Sequence, residues 1–427
     1  MPRPRAVVVL TGSELVRGDK ADANGAFLAR ELARAGLEPA RILLVGDDPG
    51  ELAHAVREGL EADVCVLSGG LGPTHDDRTI ATLAHEAGRR LLVDEALERE
   101  IGAVSRAVAE RLGRPYGDFA AGVRKQASLP EGGLSLGLAG TAPAVLLEHD
   151  GRLAVALPGP PGELRRLWPR VAEAEPFDRI AARAERPAHA ILRLFGPSES
   201  AVARVLEEAG GEGDGVELTV CAQDLEIRVD LFARAGGERR AASLEAAVRD
   251  RFPGEVFAED ERPVAAIVLD RCRALGVTLA TAESCTGGLV GARLTEIAGA
   301  SDVYLGGAVA YADEVKRGWL GVPAGVLARH GAVSAEVAGA MARGARAALG
   351  ADVAVAVTGI AGPGGGTEEK PVGLVHVHAE GPGGEEAVRL LFPGDRETIR
   401  TRATAVALHA LRRILTRSAD HPRASSR

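Results

Sequence analysis

The sequence predicts a multidomain α/β protein. Its 427 residues exceed the roughly 100–200 residues of a single domain. Buried-type strands alternate with amphipathic helices through the first third of the chain, and a similar alternation begins after residue 262. Such alternation is typical of parallel sheets flanked by helices, in which ligands gather at the carboxyl ends of the strands.

We expect four segments along the chain. These are a parallel-sheet domain at 1–170, a small connecting α+β domain at 171–260, an α/β domain at 261–416 and a disordered tail at 417–427. In the first domain, hydrophobic patterning predicts strands at 5–10, 40–45 and 63–67 and helices at 24–35, 52–60 and 76–86. In the connecting domain it predicts strands at 190–195, 216–221 and 225–232 and helices at 198–209 and 240–251. In the third domain it predicts helices at 264–275 and 289–297 and strands at 277–282 and 353–357.

Composition disfavours several classes of function. The net charge is −9 and aromatic residues make up 3% of the chain. Both values argue against a nucleic-acid partner, because phosphate binding depends on Lys and Arg and base stacking depends on aromatic rings. No apolar run reaches the ~18 residues of a membrane span, and the four cysteines lack paired or metal-ligand spacing. We therefore expect a cytoplasmic protein with neither a membrane nor a nucleic-acid partner.

Lysine is rare in this chain. Only four of the 51 basic residues are lysines, namely Lys20, Lys125, Lys316 and Lys370. Arginine does not lose its proton in a protein, whereas a partly buried lysine can become a neutral base. Each lysine is therefore a candidate functional residue.

A serine lies where a predicted strand turns into a helix. Residues 281–288 read Thr-Ala-Glu-Ser-Cys-Thr-Gly-Gly, and N–H groups at the helix start could stabilise an oxyanion or bind a phosphate. Ser284 is the candidate nucleophile, Lys316 is the candidate base, and Tyr311 could position the amine or relay its proton. The alternative is that Ser284 is a helix cap and Lys316 a solvated surface residue.

A second strand end carries a hydroxyl and a glycine-rich loop. The loop runs from Thr358 to Thr367, and its glycines would let backbone amides approach a ligand closely. The alternative is a flexible hairpin connector. Farther on, Arg396 and Arg400 share one face of a predicted helix and could meet a phosphate. Because the chain has 47 arginines, a solvated surface role is the favoured interpretation of each arginine taken alone.

Cys285 is a rival nucleophile, because a thiolate attacks more readily than a hydroxyl. It would need a nearby histidine or a positive environment. His330, His376 and His378 are available in the sequence, but none belongs to a Cys/His motif. The alternative interpretation is a small buried cysteine.

The N-terminal part contains a second candidate site. Residues 68–74 follow a predicted strand and precede a helix, which is the arrangement that holds phosphate on backbone amides. Asp76 and Asp77 beside it could bind a divalent ion that bridges phosphate oxygens. The alternative is that the two carboxylates only stabilise the start of the helix.

The C-terminal motifs resemble a known family. Segments 281–288, 306–311 with Lys316, 331–334, 358–366 and 370–373 closely resemble, in the same order, the C-terminal domain of the competence/damage-inducible CinA proteins. In that family the domain is a nicotinamide mononucleotide deamidase of pyridine nucleotide salvage, which uses no cofactor. The resemblance implies that Ser284 attacks the carboxamide carbon, that Lys316 is its base and that Tyr311 assists.

The resemblance also implies further site residues. It places Thr358 at the reacting group and Arg400 on the nucleotide phosphate. Additional substrate contacts are implied at Glu283, Thr286, Gly287, Gly288, Ser334, Gly359 and Gly362.

The N-terminal domain resembles molybdopterin-binding proteins of the MoaB/MogA type, as in full-length CinA proteins. The matching segments are 12–15, 69–77, 124–127, 140–143 and 157–161, together with Asn24. They imply a nucleotide or pterin site at Glu14, Asn24, Gly69, Gly70, Gly72 and Thr74. Since some CinA proteins hydrolyse the pyrophosphate of ADP-ribose here with a divalent metal such as Mg²⁺, the resemblance implies Asp76 and Asp77 as metal ligands. It also implies a KH-like connecting domain and a homodimer.

The expected function is therefore nicotinamide mononucleotide deamidation, with ADP-ribose pyrophosphatase as a second activity. Two alternatives stay open. The protein is chiefly a metal-dependent ADP-ribose pyrophosphatase, or its N-terminal domain only binds a pterin or nucleotide. The expected partners are small-molecule nucleotide substrates.

Overall fold

The computed structural model describes residues 3–184 and 187–420, which form two compact units, one ending at residue 187 and the other beginning at Ala188. In the first unit the strands are β1 (Arg5–Thr11), β2 (Glu38–Val45), β3 (Val64–Ser68), β4 (Leu91–Val93), β5 (Ser128–Pro130), β6 (Leu134–Leu138), β7 (Pro143–His149) and β8 (Arg152–Leu157). Its helices are α1 (Ser13–Val16), α2 (Gly25–Arg34), α3 (Pro49–Leu60), α4 (Thr79–Glu86), α5 (Glu95–Leu112), α6 (Gly117–Gln126), α7 (Pro161–Ala172) and α8 (Glu175–Ala181).

The predicted parallel sheet of the first unit is confirmed. Six strands lie in the order β2-β1-β3-β8-β7-β6; the first four are parallel, β7 is antiparallel to β8, and β6 is antiparallel to β7. The alternation of side chains divides the core between the two faces of this sheet, each covered by helices. The carboxyl ends of β1 and β3 therefore lie side by side, next to the glycine-rich segment that follows β3.

Two details of the first unit differ from expectation. Helix α4 begins at Thr79 and not at residue 76, because the Asp77 carboxylate accepts hydrogen bonds from Thr74 and closes a turn ahead of the helix. Residues 171–187 were assigned to the connecting domain, but α8 belongs to the first unit. Its Phe177 is buried there, with its ring centroid 5.7 Å from that of Trp168.

The second unit contains two sheets. Its strands are β9 (Ala188–Phe195), β10 (Val216–Gln223), β11 (Glu226–Ala233), β12 (Val256–Ala258), β13 (Leu279–Glu283), β14 (Tyr304–Val309), β15 (Val353–Gly359), β16 (Leu374–Gly381) and β17 (Gly384–Leu391). Its helices are α9 (Glu199–Glu208), α10 (Glu238–Arg251), α11 (Val264–Leu275), α12 (Leu289–Thr295), α13 (Asp313–Gly318), α14 (Ala324–His330), α15 (Ala335–Leu349) and α16 (Arg396–Asp420), with a 3₁₀ turn at Ala300–Asp302.

The smaller sheet is antiparallel, in the order β10-β11-β9-β12, and packs against α9 and α10. This agrees with the predicted α+β unit, while its likeness to a KH module stays a prediction. The larger sheet has the order β14-β13-β15-β16-β17. Helices α11 and α16 cover one face of it and α15 covers the other.

Helix α16 is longer than expected. It continues to Asp420, so residues 417–420 of the predicted disordered tail are helical, since Ile414 and Leu415 are buried and carry the helix along the core. Residues 421–427 lie outside the described chain. Among the helices that the structure describes, none combines the length and apolarity needed to cross a membrane.

A buried histidine of α16 contacts the smaller sheet. His409 is fully buried, its Nε2 lies 3.0 Å from Glu226 Oε1, and its ring stacks on Phe195 at 3.8 Å between centroids. Burial lowers the pKa of His409 to about 4, although the Glu226 carboxylate acts in the opposite direction. The imidazole is therefore neutral in the folded protein at pH 7.

This burial predicts a loss of stability on acidification. The unfolded chain binds a proton at His409 near pH 6.5 and the folded chain only near pH 4, so stability is fully present above pH 6.5 and is lost as the pH falls towards 4. Between pH 7 and pH 5 this histidine should cost about 2 kcal/mol of unfolding free energy. Urea unfolding of wild type and His409→Gln at both pH values measures it. An equal pH dependence in the two proteins would contradict the prediction.

Candidate active site

Three neighbouring strands of the larger sheet end at one place. β13 pairs in parallel with both β14 and β15. Beyond these pairings, the N–H of Ser284 donates to the carbonyl of Val357 (2.9 Å), and the N–H of Ala310 donates to the carbonyl of Glu283 (2.8 Å). The ladder therefore brings Ser284 beside the ends of both flanking strands, where Tyr311 and Thr358 lie.

Ser284 is not a helix cap. The residue at the N-cap of α12 is Gly288, four positions after Ser284, so the Ser284 side chain does not cap this helix. Ser284 is 8% exposed, and its hydroxyl forms no hydrogen bond with any residue in the described part of the chain. A nearly buried hydroxyl without a structural partner stays available for chemistry.

Lys316 is not a surface lysine. It is 1% exposed, and its Nζ donates to the carbonyl of Tyr311 (2.9 Å) and to Oδ1 of Asp313 (3.2 Å). The Nζ atom therefore has two hydrogen-bond acceptors within the same segment of chain. The Tyr311 carbonyl, and not its phenol, holds the amine at the end of β14. The structure contains no hydrogen bond between Ser284 and Lys316.

Glu283 was expected to contact substrate, but its side chain binds backbone instead. Its buried carboxylate accepts hydrogen bonds from the N–H groups at the start of α12. The expectation that these N–H groups bind a phosphate or an oxyanion is therefore wrong, because the carboxylate already occupies them. The N–H groups of Cys285 and Thr286 lie in the same turn and are not used by Glu283.

Two arginines of α16 hold the loops of the site. Arg400 donates from Nε to the carbonyl of Cys285 (3.1 Å) and from Nη2 to that of Thr286 (2.8 Å). Arg396 donates from Nη1 to the carbonyl of Gly362 (2.7 Å) and from Nη2 to the exposed phenol oxygen of Tyr311 (3.2 Å). Their spacing of four residues thus connects the loops that follow β13, β14 and β15. The sequence predicted that the two arginines share one helix face, but not which carbonyl groups they bind.

Thr358 and Ser334 are both engaged in structure. The Thr358 hydroxyl donates to the carbonyl of Ala332 (2.8 Å), so it positions the chain before α15. The Ser334 hydroxyl caps α15, accepting from the N–H of Val337 (3.3 Å) and donating to the carbonyl of Gly331 (3.1 Å). Ser334 was expected to contact substrate, and the structure gives it a capping role.

Lys370 was a candidate functional residue because lysine is rare, but the sequence assigned it no role in the site. Its Nζ donates to the carbonyls of His330 (2.5 Å) and Val333 (2.8 Å), which ties the end of the glycine-rich loop to the segment before α15. The sequence could not show which backbone groups the Lys370 amine would contact.

The predicted glycines shape the loops. Gly287 (φ +61°) and Gly288 (φ +98°) adopt left-handed backbone conformations, which lets the chain turn within a few residues after Ser284. A Cβ on Gly359 would lie 2.7 Å from the carbonyl oxygen of Leu374, so this strand end admits no side chain. Gly362 contributes its carbonyl to Arg396. Thr286 is fully buried, and its hydroxyl has no hydrogen-bond partner in the described chain.

Cys285 has no features of a nucleophile. Burial raises the pKa of its thiol to about 12, so at neutral pH it is a thiol and not a thiolate. None of the hydrogen bonds in the described residues joins Cys285 to a histidine. The interpretation as a small buried cysteine is the one that the structure supports.

The first unit has a cavity of about 300 Å³ at its strand ends. Six of the eight predicted N-terminal residues line it: Glu14, Asn24, Gly69, Gly70, Asp76 and Asp77. Gly72 and Thr74 do not line the cavity, but the N–H of Thr74 donates to Asp77 (2.9 Å). Asn24 donates from Nδ2 to Ser68 (3.0 Å) and to the carbonyl of Gly159 (2.8 Å), and this joins the ends of β3 and β8.

This cavity is acidic. Its carboxylates are Glu14, Asp22, Asp47, Asp76 and Asp77, and Lys20 is the basic residue in its lining. Within the described residues, no three His, Cys, Asp or Glu side chains lie close enough together to hold a metal ion. The described side chains therefore form no metal cage by themselves, although hard carboxylate donors suit Mg²⁺ shared with a bound phosphate.

Comparisons with known proteins assign both halves of the chain. A profile of the CinA C-terminal domain matches residues 261–415, and one of a probable molybdopterin binding domain matches residues 7–176. A CinA-like protein of Mycobacterium sp. (strain JLS) is 42% identical over 96% of this chain and 99% of its own length. A CinA-like protein of Mycolicibacterium gilvum is 41% identical over 96% and 98%. The crystal structure of a competence/damage-inducible protein of Agrobacterium tumefaciens covers 35% of this chain and 93% of its own, with 44% identity and a TM-score of 0.35.

Cysteine burial yields a labelling prediction. Burial raises the pKa of Cys65, Cys272 and Cys285 to about 12, whereas Cys221 is exposed on β10. Iodoacetamide at pH 7.5 should therefore alkylate Cys221 in the folded protein and leave Cys285 unmodified, as read by peptide mass spectrometry. Cys221 is the internal control. Labelling of Cys285 at a rate similar to that of Cys221 would restore it as a rival nucleophile.

Proposed function

The chain belongs to the CinA family, and we propose that its C-terminal domain hydrolyses the carboxamide of nicotinamide mononucleotide to nicotinic acid mononucleotide and ammonia. The observation that carries the proposal is the burial of Lys316, a rare lysine, at the strand ends where Ser284 has an unengaged hydroxyl. Burying an amine is costly, so a buried lysine held by only one carboxylate is more readily explained by chemistry than by stability.

The reaction has two stages. Ser284 Oγ attacks the carboxamide carbon and its proton passes to the unprotonated amine of Lys316. The C–N bond then breaks, and ammonia leaves with that proton, which leaves an ester between Ser284 and the nicotinoyl group. Water, deprotonated by the same amine, hydrolyses the ester and regenerates the serine.

The developing negative charge needs hydrogen-bond donors. We assign this role to the N–H groups of Cys285 and Thr286, because the N–H groups at the start of α12 are occupied by Glu283. Arg400 donates to the Cys285 carbonyl, which belongs to the same peptide group as the Thr286 N–H, and so holds that one donor in place.

The nucleotide phosphate needs a cation. A guanidinium carries five N–H donors, and the described contacts of Arg396 and Arg400 use two in each. We therefore assign the phosphate to the remaining donors of this pair, in addition to their structural role.

Removal of the nucleophile or the base tests the proposal. Ser284→Ala and Lys316→Arg should each lower ammonia release from nicotinamide mononucleotide by at least about 10³-fold, the latter because arginine keeps its proton. A coupled glutamate dehydrogenase assay measures the ammonia. Ser198→Ala, which removes a cap from α9, and Lys125→Arg, in the first unit, are matched controls that should keep the rate. Wild-type rates in both active-site variants would refute the assignment.

A second candidate function concerns the cavity of the first unit. Its carboxylates would repel a phosphorylated ligand unless a divalent cation compensates the charge. We propose metal-dependent cleavage of the pyrophosphate of ADP-ribose, with Asp76 and Asp77 beside the cation and Lys20 on a phosphate oxygen. When bound, the cation would neutralise phosphate charge. Asn24 would keep the cavity open by joining two strand ends.

This second activity is separable from the first. AMP formation from ADP-ribose, followed by chromatography, should be absent in EDTA and restored by Mg²⁺ or Mn²⁺. Asp76→Asn should raise the metal concentration needed for half-maximal rate, since it removes an exposed carboxylate of the cavity. Ser284→Ala should leave AMP formation unchanged. Tight binding of ADP-ribose without AMP formation at any metal concentration would instead favour a binding module.

A further inference from the structure

A buried carboxylate closes the turn that carries Ser284. Glu283 is the last residue of β13 and is 2% exposed. Its Oε2 accepts from the N–H groups of Gly288 (2.9 Å) and Val290 (3.1 Å), and its Oε1 accepts from that of Gly291 (2.9 Å). Both oxygens are therefore used by one helix start, and the chain from 283 to 291 forms a closed loop around Ser284.

The loop is held from two sides. Glu283 binds its inner N–H groups, while Arg400 binds the carbonyls of Cys285 and Thr286. Hydrogen bonds to an ionised group are shorter and stronger than those between neutral groups, so the carboxylate is suited to fixing backbone. The left-handed conformations of Gly287 and Gly288 lie between these two anchors.

The surroundings of the carboxylate contain further fixed groups. A Cβ on Gly291 would lie 2.8 Å from the phenol oxygen of Tyr304, so a side chain at this helix position would displace that phenol. Tyr304 is bound in turn to the Thr281 hydroxyl on β13 (2.8 Å). Burial, and to a smaller degree the Glu283 charge, raises the pKa of Tyr304, so its phenol stays protonated.

We propose that Glu283 is a positioning residue for the deamidase, whose carboxylate sets the backbone around Ser284 and does not touch substrate. The proposal rests on the proposed function. It assigns the substrate phosphate to groups other than the start of α12, because that start already holds a fixed negative charge. Glu283 acts through Ser284, whose peptide group directly follows it.

Glu283→Gln removes the negative charge of this side chain and keeps its size. Glutamine has one acceptor oxygen, and its NH₂ group would face an N–H donor, so it cannot accept all three hydrogen bonds. Glu283→Gln should lower kcat for ammonia release by about 10²-fold, because misplacement by about 1 Å costs on that order. KM should change by less than about twofold. Glu283→Asp, which keeps the charge, should recover part of kcat.

Measuring substrate affinity distinguishes a Glu283 that positions the Ser284 loop from a Glu283 that contacts the substrate. Titration calorimetry with nicotinamide mononucleotide should give the same affinity for Ser284→Ala and for the double variant Ser284→Ala/Glu283→Gln. Weaker binding by the double variant, or a raised KM with unchanged kcat in Glu283→Gln, would show that Glu283 contacts substrate and overturn the proposal. The matched control is Glu336→Gln, an exposed carboxylate in the first turn of α15, which should keep both parameters.

Hydrogen exchange tests the same claim without substrate. The amides of Gly288, Val290 and Gly291 should exchange faster in Glu283→Gln than in wild type, while amides of α15 keep their protection. Unchanged exchange at the three amides would refute the role of Glu283.

By contrast, an absence of ammonia release by the wild type would refute the proposed function alone. If Glu283→Gln does not fold, the kcat, KM and amide exchange of Glu283→Asp decide instead, and wild-type values in all three would overturn the proposal.

Discussion

The candidate site depends on the parallel pairing of β13 with strands on both of its sides. Because parallel strands end in the same direction, the hydrogen bonds from Ser284 to Val357 and from Ala310 to Glu283 bring three loops together that are far apart in sequence. Each loop contributes one feature of the candidate site: a hydroxyl after β13, the carbonyl that holds Lys316 after β14, and a glycine-rich backbone at the end of β15. Without that pairing, none of these groups would be neighbours.

Four charged side chains around the candidate site form hydrogen bonds with backbone groups. Glu283 binds N–H groups, Arg396 and Arg400 bind carbonyls of the site loops, and Lys370 binds two carbonyls before α15. Loops lack the hydrogen-bond ladders of strands and helices, so their backbone groups need other partners. The family resemblance pointed to two of these residues, Glu283 and Arg400, as substrate contacts. Their geometry assigns them first to shaping the loops that a substrate would meet.

Much of the fold could be predicted from periodicity. The strand at 5–10 and the helix at 264–275 agree with β1 and α11, because each is a largely continuous apolar run of strand or helix length that is buried in a core. Residues 171–187 were misassigned, because proline and charge suggested a connector while the burial of Phe177 depends on tertiary contacts. The extension of α16 to Asp420 likewise depends on packing against the core.

The partners of the site residues could not be predicted in the same way. Sequence patterns identified Ser284 and Lys316 as residue types suited to the chemistry, but not that the Tyr311 carbonyl holds the lysine. They also could not show that Glu283 occupies the helix start, since this requires knowing where three N–H groups point.

The most direct test of the account is rapid acid quench of wild type with nicotinamide mononucleotide, followed by peptide mass spectrometry. An adduct of the nucleotide less ammonia on the peptide containing Ser284, absent in Ser284→Ala, is predicted. Ammonia release with the adduct on another residue, or undiminished ammonia release from Ser284→Ala, would contradict it.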